Sequence, residues 1–312
     1  MHAILTVAFP IFALIGIGWI AGRRNMLGVN GTGALNGFVT WFALPAMLFM
    51  ALAKVRLSEI LNGPFAIVFG GSMLATFVVG MAMARLMSRA GLAHMSLHGL
   101  AACFGNVGYM GIPLCIAAFG PAGALPGTLA ACMGAAGMLT FGLIVVEFGQ
   151  QRGYGFLSTL ARVGKSVLRS PIVQAVGLGL IASGFSIPIP DPVQRFLDLL
   201  ASAAGPCALF AIGHFLSDKG LPRSLREVGV ATAGKIVLQP LLALALLPWF
   251  LDLDSMWGKA AILLAALPSA ANCFVLAKEY DTFVEEASAT VLLTTVASVF
   301  TVSALVVLLR VG

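Results

Sequence analysis

Charge is scarce in this 312-residue chain: 10% of its residues are Asp, Glu, Lys or Arg, against 60% hydrophobic. A soluble domain carries about 25% charge, so an ordinary cytosolic enzyme and a disordered chain are both excluded. Cysteine is sparse too. Cys103, Cys115, Cys132, Cys207 and Cys273 lie inside apolar stretches without a CxxC pair, which leaves them as small packing residues and excludes a disulfide framework. The 12 acidic residues and 4 histidines form no paired acids, no Ser-His or Cys-His constellation and no metal cluster at membrane depth. No enzyme, cofactor or metal is therefore expected. His94 and His98 stand at i, i+4 spacing, but they lack a neighbouring acid or cysteine ligand and an HExxH pattern.

Long apolar runs, by contrast, are abundant, and mean hydropathy is +1.01. A membrane span needs about 20 apolar residues. Ten runs qualify: 3–21, 34–53, 64–86, 96–118, 123–147, 169–187, 197–216, 226–248, 258–277 and 285–309. The expected fold class is an all-α polytopic membrane protein of ten transmembrane helices. The first run ends at Gly22-Arg23-Arg24, with no basic region before it and no convincing cleavage site, so it reads as a retained helix.

The net charge of +6 and a pI near 9.3 raise the question of nucleic acid. The basic residues sit in short gaps between apolar runs, where loop anchoring explains them and nucleic acid does not. Counted by alternate gaps, twelve Lys and Arg fall on one side (23, 24, 85, 89, 152, 162, 165, 169, 219, 223, 226 and 278). Five fall on the other (54, 56, 195, 259 and 310), and Lys235 is left inside a span. Cytoplasmic loops keep the positive excess, so both termini are expected outside a bacterial inner membrane, as ten spans allow.

Sliding the sequence on itself by 161 residues aligns its halves. Six of the twelve positions from Pro10 to Ala21 are identical, including Pro10 with Pro171, Gly16 with Gly177 and Gly18 with Gly179. The same register pairs Ala43, Pro45, Leu48 and Phe49 with Ala204, Pro206, Leu209 and Phe210, and Thr140 with Thr301. Five spans per unit is an odd number, so the second unit enters the membrane from the opposite face, as in secondary transporters. The expected units are 1–147 and 169–312, joined by a cytoplasmic linker at 148–168. Within it, 157–168 reads as a short amphipathic helix or a plain connection.

Substrate sites in such folds lie near the midplane, where broken helices present free backbone groups. The fourth span carries Gly105, Asn106, Gly108, Gly111 and Pro113 at its middle, and the ninth carries Pro268, Ser269 and Asn272. A single broken span is more simply a packing kink. Paired breaks in equivalent positions point instead to a crossover, where freed N–H and C=O groups and the Asn106 and Asn272 amides can hold a polar or anionic headgroup.

These motifs resemble the auxin efflux carrier family, which includes plant PIN carriers and bacterial malonate and malate permeases. The resemblance spans essentially the whole chain. It rests on Asn36 with Leu44-Pro45-Ala46-Met47-Leu48-Phe49, on Asn106-Val107-Gly108-Tyr109-Met110-Gly111-Ile112-Pro113-Leu114, and on Leu267-Pro268 with Phe274-Val275-Leu276-Ala277-Lys278-Glu279-Tyr280, Thr294 and Thr295. It implies two inverted five-helix repeats, crossing broken helices four and nine, and elevator-type alternating access. The implied substrate site holds Asn106, Val107, Gly108, Tyr109, Leu267, Pro268, Ser269 and Asn272, with Gly105, Gly111, Pro113, Pro45 and Pro206 as crossover or hinge residues. Unlike many plant members, this chain has no long hydrophilic central loop and no carboxylate in span three.

Lys235 lies within span eight, with Gln239 one turn on. It reads either as a partner for an anion or stand-in for a coupling cation, or as a residue snorkelling toward the cytoplasm. Asn36, Thr140, Thr294 and Thr295 are further pathway or coupling candidates, although hydroxyls often bond their own helix. Glu147 and His214 read as interfacial, and Asp252, Asp254, Asp281, Glu285 and Glu286 as solvated loop residues. Gly134, Ala135, Ala136 and Gly137 read as small packing residues. The expected function is a secondary carrier of a small organic anion, a mono- or dicarboxylate, lying in a lipid bilayer. The coupling ion, H+ or Na+, is open, a homodimer is plausible, and a sodium-coupled symporter of bile-acid-carrier-like architecture is the alternative.

Overall fold

The computed structural model describes residues 9–28, 30–53, 62–88, 91–149, 169, 171–217 and 224–311. The described residues form an all-helical, polytopic membrane protein, with six helical stretches long and apolar enough to cross a membrane and three shorter apolar helices. Most of the linker expected at 148–168, with its candidate helix at 157–168, lies outside the described residues.

Helix α1 (Phe9–Arg23) is followed by α2 (Gly31–Phe38) and α3 (Leu44–Ala53), then by α4 (Gly71–Ser88). Next come α5 (Leu92–Cys103), α6 (Ile112–Phe119), α7 (Ala124–Cys132) and α8 (Thr140–Gly149). The second half contains α9 (Pro171–Gly184), α10 (Asp191–Leu216), α11 (Leu225–Ala233), α12 (Gln239–Phe250), α13 (Met256–Ala265), α14 (Asn272–Glu279) and α15 (Val284–Leu308). The fourth and ninth expected spans are each split, α5 from α6 and α13 from α14.

Wide π turns join several of these helices, and proline explains three of them. A proline lacks an N–H, and its ring collides with the carbonyl four residues back. Residues 41, 109 and 236, four before Pro45, Pro113 and Pro240, fall inside the π turns Val39–Ala43, Val107–Gly111 and Gly234–Leu238. The turn widens to make room. Pro206 behaves differently. It sits exposed inside α10, which runs its full 26 residues without a break, so the expected equivalence of Pro45 and Pro206 as hinges is not seen.

Two packing groups emerge. Helix α1 lies along α10 and α9 lies along α3, and α10 also meets α2 and α3. The other group joins α5 to α4 and α8, α15 to α11 and α14, α12 to α4, and α13 to α7. The groups touch where α10 meets Val107–Gly111 and α3 meets α7.

The first group depends on glycine. A Cβ on Gly18 would overlap the Phe210 carbonyl, and one on Gly179 would lie 3.2 Å from the Phe49 carbonyl and 3.0 Å from Leu52 Cβ. Gly18 and Gly179 are mates under the 161-residue register, and so are Phe49 and Phe210. The same contact thus occurs twice with the halves exchanged. Gly16 and Gly177, also mates, both face open space. Gly18→Ala is accordingly expected to cost about 1–3 kcal/mol of overpacking and to lower the melting temperature in detergent. Gly16→Ala should leave the melt unchanged, and equal melts for the two variants would contradict the packing.

Candidate functional site

The site begins with a backbone problem. Helix α5 ends at Cys103 and the wide turn starts at Val107; α13 ends at Ala265 and α14 starts at Asn272. Each break leaves peptide groups without helical partners in a surrounding where each costs several kcal/mol. The breaks satisfy one another. Asn106 N–H donates to the Pro268 carbonyl at 2.8 Å and Ala270 N–H donates to the Phe104 carbonyl at 3.0 Å, an antiparallel bridge centred on Gly105 and Ser269.

Side chains brace this bridge from behind. Ser269 is fully buried; its N–H donates to Thr294 Oγ1 at 3.0 Å and its hydroxyl donates to the Ala101 carbonyl at 2.6 Å. Thr294 passes its own proton to the Thr290 carbonyl at 2.7 Å. Lys235 is fully buried as well, with Nζ donating to Gln239 Oε1 at 2.6 Å and to the Ala265 carbonyl at 2.7 Å. It points inward and does not snorkel, because the last carbonyl of α13 holds its Nζ. It sits directly behind the bridge: a Cβ on Gly105 would lie 3.3 Å from Lys235 Cε and 3.4 Å from Nζ.

In front of the bridge is a cavity of about 230 Å³. Its walls are Thr40, Leu44 and Leu48 from the first group, Phe104 to Tyr109 and Ile112 from the fourth span, Ala131, Gly134 and Ala135 from the fifth, and Ala270 to Asn272 from the ninth. Asn106 is nearly buried and Asn272 is exposed at the rim. The Tyr109 hydroxyl and Thr40 Oγ1 are hydrogen-bonded at 2.9 Å, linking the two packing groups across the cavity. Among the described residues, no carboxylate, Lys, Arg or His lines it. The lining instead includes the first residues of two half-helices, which carry the positive end of the helix dipole, although Val107, Cys273 and Phe274 N–H already donate to the Gly105, Ala270 and Ala271 carbonyls.

Of the residues expected at the site, Gly105, Asn106, Val107, Gly108, Tyr109 and Asn272 line this cavity. Leu267, Pro268 and Ser269 do not. Pro268 and Ser269 face their partners in the bridge, and Leu267 packs toward Gly111, where any side chain would meet Leu264 and Leu267 at 2.8 Å. Pro113 packs against Gly205, 3.2 Å from where a Cβ there would stand. Asn36 lies half-buried in α2, and Thr140, Thr294, Thr295, Lys235 and Gln239 are also off the lining. The sequence reading missed Thr40, which stands one helical turn after Asn36 on the same face. It also took Gly134 and Ala135 for packing residues alone; their small size opens the cavity wall.

Several polar residues have partners or positions that the sequence did not announce. His94, read as having no neighbouring acid, pairs with Glu227 at 3.0 Å across 133 residues of sequence, and the main chain of Glu227 bonds His98. His214, read as interfacial, is buried and bonds Thr32 at 2.6 Å. Glu147 accepts a hydrogen bond from the Tyr280 hydroxyl at 2.6 Å. Glu285 and Glu286 belong to the first turn of α15, where acids suit the helix dipole, and not to a loop. No group of three or more metal-ligating side chains occurs among the described residues.

The model of the family described as "Membrane transport protein" matches residues 3–306. A Rhizobium meliloti protein named "Putative malonate transporter" is 33% identical over 313 residues, covering 100% of this chain and 98% of the relative. An Escherichia coli protein named "Uncharacterized transporter YfdV" is 22% identical over 287 residues, 90% of this chain and 89% of its own. The mouse "Lysosomal cholesterol signaling protein" is 27% identical over 268 residues, which is 78% of this chain and 29% of that longer protein.

The bracing predicts a stability difference between the two faces of the crossover. Ser269→Ala leaves the Ala101 carbonyl without its buried donor and is expected to cost about 1–3 kcal/mol. Asn272→Ala, at the exposed rim, should leave stability within about 0.5 kcal/mol. Thermal melts of the two purified variants check this, and the reverse order would contradict it.

Proposed function

The chain belongs to the membrane transport protein family, the auxin efflux carriers of its sequence motifs, and from that premise we propose that it moves a small carboxylate through the crossover cavity by alternating access. It is a multi-pass membrane transporter and not an enzyme. The observation that carries the substrate class is the cavity itself. It is small, at about 230 Å³, below the 300–1,000 Å³ usual for drug-sized ligands, which favours an acid of a few carbons over a steroid-sized solute. It offers neutral donors, two asparagine amides and a phenol, beside the positive dipole ends of two half-helices. Such donors hold an anion without a buried counter-charge that would trap it. The printed name of the Rhizobium meliloti relative supports malonate as the first acid to test.

The ten spans are read as two inverted five-helix repeats, with breaks in the fourth and ninth. The exchanged contacts of Gly18 with Phe210 and of Gly179 with Phe49 support this reading. Helices α1, α2, α3, α9 and α10 form the fixed body and the remainder the moving one. Thr40, Leu44 and Leu48 belong to the fixed side of the cavity; the bridge and its cavity floor travel. The Thr40 to Tyr109 bond is then a contact that sliding must break. The basic ends of α1, α4 and α14 face the cytoplasm of a bacterial inner membrane, with both termini outside.

Uptake of labelled malonate, malate and an aromatic carboxylate into proteoliposomes tests the proposal. Saturable uptake is expected, reduced at least about tenfold in Asn106→Ala/Asn272→Ala, a loss of about 1.4 kcal/mol or more in binding. Transport of no carboxylate under proton or sodium gradients, or unchanged uptake in the double variant, would overturn the site. Dependence on a sodium gradient would favour the symporter alternative.

A further inference from the structure

A second cavity, of about 420 Å³, lies apart from the crossover cavity, sunk between α4 and the stretch from α11 to α12. It is lined almost wholly by apolar side chains. Its single hydroxyl, on Thr76, is already donated to the Ser72 carbonyl at 2.8 Å. Small residues make the floor. A Cβ on Gly80 would lie 3.1 Å from Ala102 Cβ and one on Gly234 would lie 3.0 Å from the same atom, so both walls close down on Ala102 of α5. Above that floor the walls part, and the wide turn Gly234–Leu238 supplies Gly234, Val237 and Leu238 to one of them. Val79, Val237 and Leu241 line the groove and are also exposed. The groove is therefore open sideways, and in a spanning helix what it opens to is hydrocarbon.

The charge at one end selects the lipid. Spans three and eight cross in opposite directions, so Arg85, five residues beyond Gly80, and Arg226, eight before Gly234, lie about 8 Å and 12 Å along their helices toward the same end. Both are exposed. The one acid beside them, Glu227, is turned inward to His94 at 3.0 Å. By sequence Arg89 follows α4 and Lys219 and Arg223 precede α11, so that end carries only positive side chains toward the headgroup region. Basic positions between membrane helices at the cytoplasmic face suit anionic headgroups. We propose that this groove is a binding site for one acyl chain of an anionic phospholipid of the cytoplasmic leaflet, with its phosphate at Arg85 and Arg226. Close packing holds the chain, since lipid tails and leucines are equally apolar and only contact distinguishes them. The bound chain rests on Ala102, between Ala101, whose carbonyl accepts the Ser269 hydroxyl, and Cys103, where α5 ends. It thus supports the helix that carries the bridge. Because α4, α5, α11 and α12 belong to one packing group, the lipid stays with that group.

The site stands apart from the carrier reading, and lipid-dependent melts decide it whatever solute the protein moves. Purified wild-type protein is melted in detergent alone, with phosphatidylglycerol, and with phosphatidylcholine of the same acyl chains. Phosphatidylglycerol is expected to raise the melting temperature by on the order of 3 °C, phosphatidylcholine by less than half of that, and native mass spectrometry should show one retained phosphatidylglycerol. Val237→Trp, which fills the groove from one wall, should lose both the shift and the retained lipid, as should Val79→Trp from the other wall. Val78→Trp, similarly exposed but off the lining, should keep both. Arg226→Gln should bring the two lipids to equal shifts. The same phosphatidylglycerol shift in the wild type and in a filled variant would overturn the site, and so would equal shifts from the two lipids in the wild type, a comparison that decides even if neither filled variant folds. A dimer that Val237→Trp dissociates, with no lipid retained, would assign the groove to a second copy of the chain and overturn the lipid.

Discussion

A bilayer has no water with which to satisfy a broken helix, and the pairing of Phe104 to Asn106 with Pro268 to Ala270 is how this protein meets that constraint. Two backbone hydrogen bonds close the exposed ends of four half-helices against each other. Neither break is tenable alone, since each would leave carbonyl and amide groups stranded in an apolar surround. The bridge also aims the fourth and ninth spans, so that the first residues of Val107–Gly111 and α14 converge on one cavity while the last carbonyl of α13 points behind it. Anion-favouring and cation-favouring ends are thereby separated by the thickness of a single extended strand. Ser269, held by Thr294 and the Ala101 carbonyl, keeps that strand from slipping.

The two packing groups differ in the kind of contact that holds them. Within the first, α1 and α10 approach so closely that Gly18 and Gly213 leave no room for a Cβ. Backbone against backbone is a rigid interface, because closely packed surfaces deform little. Between the groups the cavity contacts are side chains: Thr40 with Tyr109, and Pro113 over Gly205. Contacts of that sort can be exchanged for others at modest cost. That difference supports the proposal that one group slides past the other.

Much of this was legible beforehand, for identifiable reasons. Apolar runs and charge gaps located the helices, because a bilayer imposes length and composition on any span. Coincident glycines marked a shared packing demand, because Gly18 and Gly179 answer the same steric need in two places. Clustered Gly, Asn and Pro marked both breaks, because a helix cannot pass through them unstrained. What was not legible depends on contacts between residues distant in sequence. Nothing local in His94 announces Glu227, nothing in Thr40 announces Tyr109, and Ser269 and Pro268 gave no sign that they would face the bridge while their neighbours Ala270 and Ala271 face the cavity. The direction of the Lys235 side chain likewise follows from where α13 ends, some 30 residues later.

The chemistry of the cavity is best understood through what it leaves out. A lysine or arginine in its wall would bind a carboxylate tightly, yet a carrier must release its substrate on every cycle, and tight ground-state binding slows that release. In the proposed carrier, two amides and a phenol provide several weaker interactions that can be given up one at a time. Lys235 lies instead behind Gly105, outside the cavity, with its hydrogen bonds committed to Gln239 and Ala265. Under the carrier proposal, ease of release falls to the neutral donors of the cavity, and the bridge behind them keeps Lys235 out of contact with what they hold.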